Sequence, residues 1–266
     1  MATFNVPTLR QLIRAGIQDL EIELDQELPI VGVERALNTA FSGALRDVYD
    51  YQTWIKNQII PSEQSADETI IDTARYEGVI RKAASYASGP VAFTGTRPLP
   101  LDTEMQTQDG VRFHVTATSD PSAGKITVTV QADETGLSGN LTAGDVLTLI
   151  SPVAGVNSDG VVADAGISGG ADVESVAELL TRLLYRKRNP PTGGALHDYV
   201  IWATELPGIS RAWAFDNWHG RSTVGLAWVY DQRNDIIPTG TDRAAMQAYI
   251  FRHQDPATGT YVGKPG

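Results

Sequence analysis

The period of the apolar residues changes along the chain, and this constrains the fold more than any other feature of the sequence. Apolar side chains recur every three to four residues up to about position 88 and every second residue from about 89 to 168. The first spacing is that of a helix with one buried face, and the second is that of a half-buried strand. After 169 the two spacings alternate. The chain is therefore predicted to be an α+β protein of three domains: a helical, bundle-forming region at 1–88, a small antiparallel β module at 89–168 and an α+β domain at 169–266.

The first region predicts three helices. Thr8 is a suitable cap for a first helix that ends before Pro29. A longer helix is expected from about Val33 to Ile59, because a proline follows two residues later. A third helix is expected from about Ala66 to Ala87. Long N-terminal helices of this kind need a partner for their apolar faces.

The second of these helices carries six apolar residues at intervals of 4, 3, 4, 3 and 4 residues, which is the spacing of a coiled-coil seam. The seam either packs on the first helix within the chain or joins a bundle made with other chains. We predict it as the partner-binding surface of the protein. The seam residues are Leu37, Phe41, Ala44, Val48, Tyr51 and Ile55.

The middle region alternates apolar and polar residues and is punctuated by glycine-rich turns. The clearest strand runs from Lys125 to Gln131, with its valines and isoleucine on one side and its threonines on the other. Further strands are expected at Val91–Thr94, Arg112–Thr118 and Val146–Ile150.

The last region predicts an ααββα order. A helix is expected to start near Asp172, with acidic residues in its first turn and Arg186–Arg188 in its last, which suits the helix dipole at both ends. The following elements are a helix from about Leu196, strands at Ile209–Asp216 and Thr223–Asp231, and a final helix at Asp242–Arg252.

The composition excludes several classes of function. The chain has 32 acidic and 21 basic residues and a net charge of −11, so it would repel a phosphate backbone, and nucleic acid is not expected as a partner. The absence of cysteine excludes disulfides and thiolate metal sites. The sequence shows no signal peptide and no apolar run approaching the roughly 18 residues of a membrane span. We expect a protein that is made and assembled in the cytoplasm, without contact to a membrane.

Catalytic chemistry has one candidate. Gly166 to Gly170 matches the G-x-S-x-G pattern around Ser168, with Asp198 and His219 following in the order of an α/β-hydrolase triad. Such an elbow must join a buried strand to a helix that starts at once, whereas the segment before Gly166, Val161–Ala165, is short and polar. The four histidines are scattered, and no phosphate-binding loop is present. We predict no catalytic residue, no cofactor and no metal.

Two charged clusters can be explained either by local helix electrostatics or by contact with a partner of opposite charge. Arg182 and the basic run Arg186–Arg188 suit a helix C-terminus, but they also suit contact with an acidic neighbouring subunit. The four carboxylates within Glu21–Glu27 are typical of a solvated face. Their position near a helix C-terminus is mildly unfavourable, which leaves room for a basic partner.

The glycine and aromatic pattern carries a resemblance. In the β module it comprises Gly95-Thr96, Asp109-Gly110 with Phe113, and Gly136–Gly144. In the last region it comprises Gly169–Glu174, Arg182, Pro191–Gly194, Asp198-Tyr199 with Trp202-Ala203, and Pro207–Ala212. Over roughly residues 60–230 this pattern resembles the baseplate J-like family of Mu-type contractile tails. The helical first region agrees with the family in kind only.

The resemblance implies a structural wedge subunit of a contractile phage or phage-like tail baseplate, and not an enzyme. It implies two copies in each wedge together with a smaller wedge protein, and contacts to neighbouring wedges and hub proteins, all in the virion tail baseplate. Members usually have a second glycine where this chain has Ser222. They also usually continue into another α+β segment, so either this member is short or its end lies beyond Gly266.

Two alternatives remain within a phage tail. One is a tail-associated hydrolase acting through Ser168 on a cell-surface polymer. The other is a carbohydrate-binding module that uses Trp213, Trp218 and Trp228, although strand alternation places two of these tryptophans equally well in a core.

Overall fold

The computed structural model describes residues 5–233, 235–251, 253–254 and 260–264. The chain divides into two compact units, Met1–Thr73 and Ala74–Gly266. The fold class is α+β with long N-terminal helices, as predicted, and the domain boundaries at 88 and 168 stay a prediction. The helices are α1 (Leu9–Leu24), α2 (Val33–Ile59), α3 (Asp67–Tyr76), α4 (Val176–Arg188), α5 (Leu196–Glu205) and α6 (Gly240–Ile250). The strands are β1 (Tyr86–Gly95), β2 (Glu104–Gln106), β3 (Arg112–Thr118), β4 (Lys125–Thr135), β5 (Val146–Leu149), β6 (Val156–Val162), β7 (Arg211–Asp216), β8 (Val224–Val229), β9 (His253–Gln254) and β10 (Tyr261–Val262).

The first unit is built on a hairpin of α1 and α2. Thr8 caps α1: its hydroxyl accepts the backbone N–H of Gln11, and the Gln11 side chain accepts the backbone N–H of Thr8. This reciprocal pair satisfies two donors that a helix start leaves free. The chain leaves α1 at Asp25, which adopts a left-handed conformation with φ of 51°. The bounds of α2 are those predicted.

The contact between α1 and α2 is polar on the side of α2. Asn38 donates from Nδ2 to the carbonyl of Ile13 at 2.9 Å, and Arg46 donates to the carbonyl of Pro7 at 3.0 Å. Ser42 is the one residue of α2 that is buried. The hairpin is therefore held by side-chain to backbone hydrogen bonds more than by an apolar core.

The third helix is shorter than predicted. It ends at Tyr76, and Gly78 then takes a φ of 74°, outside the helical region. Tyr86 and Ala87, which were expected to be helical, begin strand β1 instead. The prediction to Ala87 was wrong because apolar spacing alone does not show where a helix ends.

The β module is a closed barrel in which neighbours pair in the order β1, β4, β3, β2, β5, β6, all antiparallel. Closure leaves no free sheet edge. The inward residues of β4 are fully buried, as the alternation predicted. Gly160 on β6 allows the Phe93 ring to fill the interior, because a Cβ there would lie 2.4 Å from the ring.

The last domain starts its first helix later than predicted. Ser175 caps α4 by accepting the backbone N–H of Glu178, whose carboxylate accepts the Ser175 backbone N–H in return. Asp172 and Glu174 therefore precede the helix and do not form its first turn, which corrects the prediction. The antiparallel pair β7 and β8 packs against α5. The small core at this place contains Ala203, Ile209, Tyr230 and Met246. Among the described residues, no helix is long and apolar enough to cross a membrane.

Candidate interaction surfaces

The six seam residues all lie on the surface of the chain. Their exposed fractions run from 39% for Ile55 to 73% for Phe41, and Ala44 is also exposed. At about 100° per residue, the seam lies roughly 140° around α2 from the polar residues that contact α1. The seam thus points away from the hairpin, and the hairpin leaves its apolar stripe unpaired.

The first unit buries few residues of any kind. Within the part of Met1–Thr73 that the structure describes, the buried residues are Leu28, Ser42, Pro61, Ser65 and Ile70. Helices of this length take most of their stability from packing an amphipathic face. Further apolar side chains widen the exposed face of α2: Val33, Leu45, Trp54 and Ile59.

The serine candidate is not part of a triad. Ser168 lies in an extended segment beside the barrel, where its backbone N–H donates to the carbonyl of Ser88 at 3.0 Å. No helix begins until Val176. The Asp198 carboxylate is occupied by N–H donors of its own helix start, and among the described residues no hydrogen bond joins Ser168, Asp198 and His219.

The histidines lie apart. His114 pairs with Asp133 at 2.6 Å on the outside of the barrel, and Nε2 of His197 lies 2.9 Å from the carbonyl of Pro190. Among the described side chains, no group of three or more histidines and carboxylates is placed to hold a metal ion. The side chain of His253 lies outside the described residues.

The three tryptophans do not form one platform. Trp228 is half-buried against the core of the last domain, while Trp213 and Trp218 are exposed. The indole of Trp218 packs across Gly225, where a Cβ would approach the ring to 2.6 Å, and the Arg211 guanidinium lies over Trp213 at 5.5 Å. The expectation of a core position is therefore met by Trp228 and not by Trp213.

A buried ion cluster escaped prediction. The side chain of Glu174 is fully enclosed and accepts hydrogen bonds from Arg182 Nη1 at 2.7 and 2.8 Å and from the Lys82 backbone N–H at 2.9 Å. Lys82 Nζ lies 3.9 Å from the same carboxylate. Burial lowers the pKa of Lys82, Glu174 opposes this, and the nearby Arg182 adds to the lowering. No local pattern shows this cluster, because Lys82 and Glu174 are 92 positions apart.

Family models match the chain over two segments. Residues 90–170 match the baseplate J-like protein barrel domain, and residues 191–262 match the baseplate J-like central domain. The closed barrel and the α+β domain that follows it thus define the class: a baseplate J-like protein.

Two known proteins are similar in sequence to nearly the whole chain. It is 40% identical over 267 residues to "Baseplate protein gp47" of Escherichia phage Mu, covering 98% of this chain and 74% of that protein. It is 39% identical over the same length to "Mu-like prophage FluMu protein gp47" of Haemophilus influenzae, with the same coverage. The chain belongs to the baseplate J-like family.

A solved structure shows a weaker likeness. A chain in the cryo-EM structure of the anti-feeding prophage baseplate, 6-fold symmetrised, aligns with a TM-score of 0.40 and 14% identity. The alignment covers 89% of this chain and 66% of that one. This likeness is too weak to support a conclusion.

Proposed function

We propose that this chain is a structural wedge subunit of a contractile phage or phage-like tail baseplate and has no catalytic role. Membership of the baseplate J-like family supports the baseplate role, and so does the printed name of the Mu relative. The proposed place is the virion tail baseplate, after assembly in the host cytoplasm.

In this proposal the chain assembles with a second copy of itself and a smaller wedge protein, and the wedges then contact one another and the hub proteins around the centre. The observation that carries it is the exposed seam of α2. The large residues of this seam are all at least 39% exposed, and exposed apolar patches on soluble proteins mark interaction sites.

The seam can supply a useful share of the association free energy. Burying a large apolar side chain contributes about 1.5 to 3 kcal/mol, and the five large seam residues are on average about half exposed, so each chain gains roughly 4 to 8 kcal/mol. Association itself costs about 4 to 15 kcal/mol in lost motion. One seam covers only the lower part of this range, whereas the seams of two copies together cover most of it.

The test is a variant carrying Phe41→Asp and Val48→Asp, which places two carboxylates in the buried interface. We expect it to lose co-purification with the second copy and with the other wedge proteins, while circular dichroism shows an intact β module. The matched control is Thr39→Asp with Thr53→Asp, which adds the same charge to exposed positions of α2 outside the seam. The proposal fails if the seam variant assembles as well as this control.

A further inference from the structure

A groove in the unit Ala74–Gly266 concentrates positive charge on an otherwise acidic protein. It lies between the segment before β1, α4, α5 and β7, and its volume is about 610 Å³, within the range of ligand-binding pockets. Six cationic side chains line this cationic groove: Arg81, Lys82, Arg182, Arg186, Arg211 and Lys264.

The carboxylates that contact these cations are fewer than the cations. Glu174 pairs with Arg182, Glu205 accepts from Lys264, and Asp231 accepts from Arg211. Among the described residues, these three carboxylates form ion pairs with four of the six cations, so a positive excess remains at the groove of a chain whose net charge is −11. Clefts of one charge sign attract ligands of the other.

Arg186 is a groove cation whose charge no described residue compensates. It is half-buried in α4, lines the groove and makes no hydrogen bond or ion pair with another described residue. Lys82 is also incompletely compensated: burial lowers its pKa, and this outweighs the opposing effect of the carboxylates of Glu174 and Glu178. An arriving carboxylate would compensate both cations. The rim also offers apolar contact, because Ile80 and Trp213 are exposed there.

The chain itself carries a segment of complementary chemistry, the acidic α1 end, defined as residues 21–27. Glu23, Asp25 and Glu27 are exposed, and their side chains make no hydrogen bond or ion pair within the described residues. They lie at a helix C-terminus, where negative charge is unfavourable unless a cation compensates it. Ile22 and Leu24, which flank Glu23, are exposed and apolar.

We infer that the cationic groove of one copy binds the acidic α1 end of a second copy. This contact rests on the proposed assembly of more than one copy in a wedge, and adds to it a second, charge-dependent interface. Carboxylates would meet Arg186 and its neighbours, and Ile22 or Leu24 would pack on the apolar rim.

The absence of cysteine allows a direct test in full-length chains. One copy carries Gln26→Cys, which keeps all the carboxylates, and a differently tagged copy carries Ile80→Cys at the groove rim. A short bismaleimide should then join the two copies. Arg186→Glu in the second copy should lower the yield of mixed dimer about tenfold, and Arg186→Gln should lower it less. Arg188→Glu, the same change two residues along α4 and outside the groove, should leave the yield unchanged.

Three results would overturn the inference: no mixed dimer, an equal yield from Leu101→Cys, an exposed position before β2 that does not line the groove, or an equal loss with Arg188→Glu. Thermal melting of each variant shows whether the fold is intact, and Arg186→Gln keeps the test valid if the reversed charge unfolds the chain. The variant with Phe41→Asp and Val48→Asp tests the proposed wedge assembly separately, because it leaves the groove and the acidic α1 end unchanged.

Discussion

Replacing Glu174 by alanine should destabilise the unit Ala74–Gly266 by about 3 to 5 kcal/mol, the range for removing one partner from a buried ion pair. The enclosed carboxylate satisfies the Lys82 backbone N–H at 2.9 Å and Arg182 at 2.7 and 2.8 Å. The freed N–H alone would cost about 1 to 3 kcal/mol. The remainder comes from two cations, on Lys82 and Arg182, that lose their shared counter-charge.

The measurement is urea unfolding followed by tryptophan fluorescence, since four of the five tryptophans lie in this unit. Urea is preferable to guanidinium because it does not screen charges. Glu77→Ala is a matched control: Glu77 also pairs with a basic residue of α4, Lys187 at 2.8 Å, but at the surface, so its loss should cost less than about 1 kcal/mol. Equal destabilisation by the two variants would refute the reasoning.

Two further changes test local features. Ser222 adopts a φ of 64°, a left-handed conformation that glycine takes without steric cost, so Ser222→Gly should raise the free energy of unfolding by about 0.5 to 1 kcal/mol in the same urea assay. A decrease would contradict this. Burial alone would raise the pKa of Asp198, but hydrogen bonds from Gly194, Ala195 and Thr192 outweigh it and lower the pKa below 3.8. The ionised Asp198 carboxylate therefore stabilises the fold above pH 3.8, and this stabilisation is lost as the pH falls through the lowered pKa. In an acid titration below pH 3.8, the wild type should therefore lose stability more steeply than Asp198→Asn.

The sequence predicted those elements whose ends carry a local signal. The bounds of α2 and β3 agree with prediction because a proline or a glycine turn lies near their ends. The start of α4 was placed too early, since the acidic residues Asp172 and Glu174 imitate a first helical turn. Only the structure shows that Ser175 is the cap and that Glu174 serves residues far along the chain.

Barrel closure could not be predicted from alternation. Strand β6 contains Ser158, Asp159 and Gly160, which disfavour strands in isolation, and β2 is only three residues long. Both complete the barrel because their neighbours supply hydrogen bonds and Phe93 fills the space above Gly160. Such pairing depends on tertiary context, which no local window of sequence contains.

The seam could be predicted from the sequence, but its surroundings could not. Heptad spacing identifies the apolar stripe of α2 and does not show which surface the stripe packs against. The structure turns Asn38 and Ser42 toward α1 and leaves the stripe outside. In the two proposals, the seam and the cationic groove have different roles. Apolar burial at the seam is not directional and would supply affinity, whereas the cationic groove can accept only a partner with carboxylates at the right places and would fix the register of the two copies. Salt should therefore weaken the groove contact far more than the seam contact.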